Sequence, residues 1–157
     1  MSCSLMAYVG RNPVKATVLV VDDSREMQRY LRVLLELDSY RVEAASNGHE
    51  ALQSIRHGCA PQVVLLDVQM PGMDGLETLR RLQEFRPKPK VIMCSAVDDP
   101  GKIAEAALLG AHAYLLKPIQ HLYLSAAIER CLDKSPARRP MERLGGRLLV
   151  LPSPSPL

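Results

Sequence analysis

Asp22 with Asp23, Asp67, Ser95 and Lys117 lie far apart along a chain of 157 residues, yet each stands at the end of a short apolar run. The runs are TVLVV at 17–21, QVVLLD at 62–67, KVIMCS at 90–95 and AYLL at 113–116. Continuous apolar runs of this length suit strands buried on both faces of a parallel sheet. In such sheets a binding site forms outside the carboxyl ends of the strands, so these ends converge by topology. Three carboxylates crowded together repel one another and raise at least one pKa unless a cation is shared among them. Hard oxygen ligands beside one ammonium suit Mg²⁺ and a phosphoryl group, because Mg²⁺ is usually held by one or two carboxylates, waters and phosphate oxygens. A carboxylate can itself take the phosphoryl group, and Asp67 is the obvious acceptor. Singly, each residue has an ordinary explanation: Asp22 or Asp23 as a helix cap, Asp67 as the start of the turn at Met70, Pro71 and Gly72, Ser95 as a small loop residue. The right chemistry at four separate strand ends argues for one site.

The segments between these ends must supply the crossovers. Ser24 can cap a helix with Met27, Tyr30, Leu31, Leu34 and Leu35 at helical spacing, and RVEAAS then alternates like a second strand. Asn47 opens a short helix that Gly58 can end, and Asp74 with Glu77 is spaced like a capping box ahead of Leu76, Leu79, Leu82 and Phe85. Pro100 suits the first turn of the next helix, and Leu124, Ala127, Ile128 and Cys131 mark the last. Five strands alternating with five helices predict one doubly wound α/β domain with helices on both faces of a five-stranded parallel sheet.

The motifs VVDDS ending at Ser24, LLDVQMPGMDG at 65–75, CSA at 94–96 and YLLKP at 114–118 resemble, in order and spacing, the receiver domain of bacterial two-component response regulators, the CheY-like family. The match covers roughly residues 16 to 133. The resemblance implies a flavodoxin-like sheet of strand order 2-1-3-4-5. It implies that Asp67 accepts a phosphoryl group from a histidine kinase or histidine phosphotransfer protein, and that the domain then switches conformation to signal to a protein target. By the same resemblance Asp23 would ligate Mg²⁺ directly and Asp22 mainly through a metal-bound water, with Asp67 and the backbone carbonyl of Gln69 completing the protein ligands. Lys117 would pair with the phosphate, Ser95 would reach for one of its oxygens, and the small Ala96 would leave the site accessible. Tyr114 occupies the switch-aromatic position, and Lys117–Pro118 would be a cis peptide bond. Gln69 and Val97 stand where side chains influence phosphate lifetime in the family. Serine at 95 keeps the hydroxyl of the commoner threonine but loses the β-branch that restricts χ1. Family members often pair through the fourth and fifth helices and fifth strand, so a phosphorylation-dependent homodimer is an expectation too.

Composition is 47% hydrophobic and 24% charged, as in a globular domain. No apolar run approaches the roughly 18 residues of a membrane span, and the start lacks a signal-peptide pattern, so a cytoplasmic protein is expected. The four cysteines show no paired spacing and read as reduced, mostly buried thiols. The four histidines read as surface or helix-end residues, and Met70, Met73 and Met93 as packing residues. Residues 1 to 133 carry 15 basic against 16 acidic side chains, whereas residues 134 to 157 carry five basic against one. This division predicts an N-terminal extension at 1–15, the domain at 16–133, and a basic, Pro/Gly/Ser-rich tail at 134–157 that is flexible. The near-neutral domain offers little to nucleic acid, and the tail is too short for an added DNA-binding domain. A DNA-binding regulator acting through the tail is therefore a minor alternative. Another is a Mg²⁺-dependent aspartyl-phosphate phosphohydrolase, but haloacid-dehalogenase-like enzymes place a second aspartate two residues after the first, where Gln69 stands here. No Gly-rich phosphate loop follows the first strand, which disfavours a nucleotide-dependent enzyme.

Overall fold

The chain is described from a computed structural model, which covers residues 13–134 and 142–152. Strands and helices alternate as the apolar pattern requires: β1 Thr17–Val21, α1 Arg25–Leu37, β2 Arg41–Ala45, α2 Gly48–Arg56, β3 Val63–Asp67 and α3 Gly75–Leu82 come first. β4 Lys90–Ser95, α4 Pro100–Leu108, β5 Ala113–Leu116 and α5 His121–Leu132 complete the expected set. β1 to β5 pair in parallel in the order 2-1-3-4-5. Four helices start at side-chain caps: Ser24, Asn47, Asp74 and Asp99 each accept a hydrogen bond from a first-turn backbone N–H. The reciprocal half of the Asp74–Glu77 box is replaced, because the Glu77 carboxylate pairs with Arg80 and Arg81.

Alternate residues of each strand feed two cores. Val18, Val20, Val63 and Leu65 pack with Leu31 and Leu35 of α1 and Leu124 and Ile128 of α5. Leu19, Val21, Val64 and Leu66 pack with Leu52 of α2, Leu79 and Leu82 of α3 and Ile103 of α4. Burial on both faces is why these strands read as unbroken apolar runs. Each leucine so buried contributes roughly 1.5–3 kcal/mol relative to exposure, so both layers hold the strand ends in place.

Two expectations need correction. The parallel part of the sheet has the expected five strands, but the tail adds two more to it: β6 Glu142–Leu144 and β7 Leu148–Val150 form a hairpin, and β7 pairs antiparallel with β5. The tail is therefore not flexible over 142–152, and the rest of it, like most of the N-terminal extension, lies outside the described residues. The physical reason is the run Leu148–Leu151, whose residues are at most 6% exposed and alternate between the two cores. Gly145 and Gly146 both take positive φ, which lets the chain reverse tightly, and the Arg147 amide donates to the Leu144 carbonyl. Second, His49, His57 and His121 are exposed as expected, but His112 is partly buried, and its buried Nδ1 has no hydrogen-bond partner. Burial and the nearby Lys90 and Lys88 hold its pKa down at about 4. Among the described residues no helix is long and apolar enough to cross a membrane.

Candidate functional site

The ends of β1, β3, β4 and β5 deliver Asp22, Asp67, Ser95 and Lys117 to one edge of the sheet, with Asp23 beside them. Carboxylate oxygens of Asp22, Asp23 and Asp67 all lie within 4.8 Å of one another. Asp22 and Asp67 are buried and Asp23 is exposed, so the cluster opens to solvent on the Asp23 side. The Ser24 amide donates to Asp22 Oδ1 at 2.8 Å, and Gln28 Nε2 donates to the Asp22 carbonyl at 2.7 Å, which fixes the turn from β1 into α1. The Gln69 amide donates to Asp67 Oδ1 at 3.2 Å, so the expected carbonyl ligand lies on a residue that touches the acceptor. Gly75 admits α3 closely behind this turn: a Cβ there would stand 2.2 Å from the Asp67 carbonyl.

Lys117 Nζ sits 3.1 Å from Asp22 Oδ2 and 3.4 Å from Asp67 Oδ1. Its backbone amide donates to the Ser95 carbonyl at 2.7 Å, which ties the ends of β4 and β5 together. Burial raises the Asp67 pKa and the Asp22 charge adds to this, while Lys117 and the Gln69 amide oppose it. Burial lowers the Lys117 pKa, but Asp67 and Asp22 outweigh it and the net shift is upward. The ammonium therefore stays charged, and the excess negative charge is left for a further cation. Three hard oxygen donors with one side open to water fit Mg²⁺, and one ammonium beside them fits a phosphoryl oxygen.

Ser95 is buried, and its Oγ accepts from the Val97 amide at 3.1 Å and donates to the Val97 carbonyl at 3.2 Å. Ala96 is exposed at the mouth of the site. Tyr114, behind Ser95, is fully buried, more than a half-buried strand tyrosine would be. Its hydroxyl has no hydrogen bond of normal geometry, although Ser95 is the side chain it faces. Lys117–Pro118 is cis, and Arg86–Pro87 is cis as well. Met70 and Met93 are core residues and Met73 packs against them.

Two contributors escaped the sequence reading. Gln28 looked like an ordinary polar helix position, but its amide reaches the Asp22, Ala45 and Ser46 oxygens. Arg147 lay in the supposed flexible tail, yet its Nη1 donates to the Lys117 carbonyl at 3.3 Å. The Gly145-Gly146 pair beside an apolar run was the available signal for it.

Residues 18–129 match the family model of the response regulator receiver domain. The chain is 36% identical to a chemotaxis protein CheY of Listeria monocytogenes over 72% of its own length and 95% of that protein. It is 42% identical to a positive alginate biosynthesis regulatory protein of Pseudomonas aeruginosa over 72% of its length, spanning only 46% of that regulator. The CheX–CheY–BeF₃–Mg²⁺ complex from Borrelia burgdorferi contains a chain that superposes with a TM-score of 0.70 at 28% identity, covering 75% of this chain and 90% of that one. With the strand order, the acidic cluster and the lysine already in place, the chain belongs to the response regulator receiver domain family of two-component signalling.

Proposed function

We propose that Asp67 is the phosphoacceptor of this receiver and that Asp22, Asp23, Asp67 and the Gln69 backbone carbonyl hold Mg²⁺. The observation that carries the reading is the set of three carboxylates within 4.8 Å of one another, spanned by Lys117 at 3.1 and 3.4 Å from two of them. An Asp67 carboxylate oxygen attacks the phosphorus of a phosphohistidine, the P–N bond breaks, and the imidazole leaves with its electron pair. When bound, Mg²⁺ offsets the charge of the carboxylates and the transferring phosphoryl oxygens. Lys117 pairs with a phosphoryl oxygen, the Gln69 amide steadies Asp67, and Ser95 turns from Val97 to a second oxygen. Tyr114 then takes the switch role, so that phosphorylation acts by shifting a population. The donor is a histidine kinase or phosphotransfer protein and the output is a protein target, in line with the CheX–CheY–BeF₃–Mg²⁺ complex. Small phosphodonors serve as substitutes in vitro.

A homodimer formed on phosphorylation would have to use α4, α5 and the hairpin, because the free edge of β5 is taken by β7. Of the tail's arginines, the two described ones engage the domain itself, Arg143 with Asp98 and Arg147 with the Lys117 carbonyl, rather than standing free for a nucleic acid. The decisive experiment is incubation with Mg²⁺ and acetyl phosphate followed by intact mass, on wild type and Asp67→Ala. A base-labile phosphate adduct on wild type alone, prevented by chelator, is expected. No adduct on wild type, together with no binding of beryllofluoride, would reject Asp67 as acceptor.

A further inference from the structure

The hairpin of β6 and β7 lies outside the residues that match the receiver family, yet it is built into the domain's sheet beside β5, the strand that leads into Lys117. Leu149 is the cross-strand partner of Tyr114, and Leu149 and Leu151 join the same core as Tyr114 and Ile103. Without them Tyr114 would sit on an edge strand instead of being fully buried. The Leu116 amide donates to the Arg147 carbonyl at 2.8 Å, and Arg147 Nη1 returns to the carbonyl of Lys117. Arg143 pairs with Asp98 at 3.1 Å in the loop that follows Ser95, and Glu142 pairs with Arg130 of α5 at 2.8 Å. The hairpin thus grips both the end of β5, which leads into Lys117, and the β4–α4 loop just after Ser95.

We propose that residues 142–152 are a built-in edge strap whose docking on β5 is coupled to phosphorylation at Asp67, the docked strap and the phosphorylated site favouring the same conformation. The inference rests on the receiver reading above. Its sign follows from geometry. With the strap docked, Lys117 Nζ already stands beside Asp22 and Asp67, where a phosphoryl group needs its cation, so phosphorylation need not break a strap contact. Docking also keeps Tyr114 inward. Ser95 Oγ now donates to the Val97 carbonyl, a bond it gives up on turning to the phosphoryl group, and the buried Tyr114 hydroxyl has no partner to hold it in place. Coupling of this kind is reciprocal: the phosphate must stabilise the strap by the factor by which the strap strengthens the phosphate site.

The test is amide hydrogen exchange on the full chain, with Mg²⁺ alone and with Mg²⁺ plus beryllofluoride, read at Leu149 and Leu151. Beryllofluoride affinity is measured alongside for wild type and Gly145→Val. A Cβ at Gly145 would stand 1.9 Å from the Tyr123 hydroxyl, at a backbone φ of 55° that a valine resists, so this variant dislodges the strap without touching the site. Arg147→Met, which keeps the apolar run, serves as the milder variant should Gly145→Val fold poorly. The expected result is several-fold slower exchange with beryllofluoride, and several-fold weaker beryllofluoride binding in either variant. Strap exchange that is unchanged or faster while Asp67 is loaded overturns the coupling or its sign and leaves the receiver reading standing. So does unaltered affinity in a variant whose strap amides exchange freely. A wild type that gains neither phosphate by intact mass nor beryllofluoride sinks both.

Discussion

Asp67 is buried beside Asp22, and the Lys117 ammonium pairs with these two of the three clustered carboxylates. The raised pKa of Asp67 means that the ionised form is less favourable in the folded chain than in the unfolded one, so at neutral pH this charge works against folding. Asp67→Asn is expected to stabilise the metal-free protein. Mg²⁺ should raise the unfolding midpoint of wild type and act much less on the variant. Urea titrations of both proteins with and without Mg²⁺ check this, and a destabilised metal-free variant would show that the Lys117 pairing outweighs the repulsion. Tyr114 carries a second residue-scale prediction. A fully buried hydroxyl without a partner is a liability of about 1 kcal/mol, so Tyr114→Phe should leave stability unchanged or raise it by up to about that amount. A loss of similar size would mean that the hydroxyl is bonded after all. The acidic residues, Ser95 and Lys117 were legible because each ends an apolar run. The Gln28 and Arg147 contacts were not, since a long side chain's reach depends on tertiary neighbours that local spacing does not encode.

At the scale of elements, the five strands and five helices were readable because strands buried on both faces and capped amphipathic helices leave strong periodic marks. β4 and β5 have the expected ends, while β3 begins one residue later than its apolar run suggested, at Val63. The hairpin was missed because Pro, Gly and Ser dominate the tail's composition, whereas the pairing rests on only four apolar residues and two glycines. A composition average dilutes so short a signal. It also cannot show that β5 would otherwise present an unpaired edge, which β7 covers and which the short, charged β6 replaces. The approach of α3 to β3 gives a prediction of its own. A methyl at position 75 meets the Asp67 carbonyl at 2.2 Å and the Val68 Cα at 2.8 Å, both backbone atoms that cannot turn aside. Gly75→Ala should therefore cost about 1–3 kcal/mol and slow phosphorylation by acetyl phosphate, because relief of the overlap must move the acceptor turn. Denaturant midpoints and the rate of mass gain are the readouts. Normal values for both would show that α3 can slide without disturbing Asp67.

Acid is expected to act on the whole molecule through two groups of opposite sign, the partly buried His112 and the buried Asp67. His112 precedes β5, and its carbonyl accepts from the Leu151 amide at the far end of the hairpin. With a folded pKa of about 4 against an ordinary 6.5, it is protonated more readily in the unfolded chain. Its contribution to stability is therefore complete above pH 6.5 and is lost as the pH falls toward 4. The loss is at most about 3 kcal/mol if the whole shift is expressed. Asp67 runs the other way, since its raised pKa restores stability as it takes up a proton. The larger effect in the window between pH 6.5 and 4 should be that of the histidine, because burial and two lysines, Lys88 and Lys90, all oppose its charge, whereas Lys117 and the Gln69 amide offset the burial of Asp67. Wild-type stability should thus decline from pH 6.5 to 4, and His112→Gln should remove most of the decline while leaving phosphorylation at neutral pH unchanged. Equal slopes for the two proteins would place the acid sensitivity elsewhere. A steeper loss of hairpin amide protection than of global stability would place His112 protonation in the junction between β5 and β7, where its effect would reach the sheet edge before the rest of the fold.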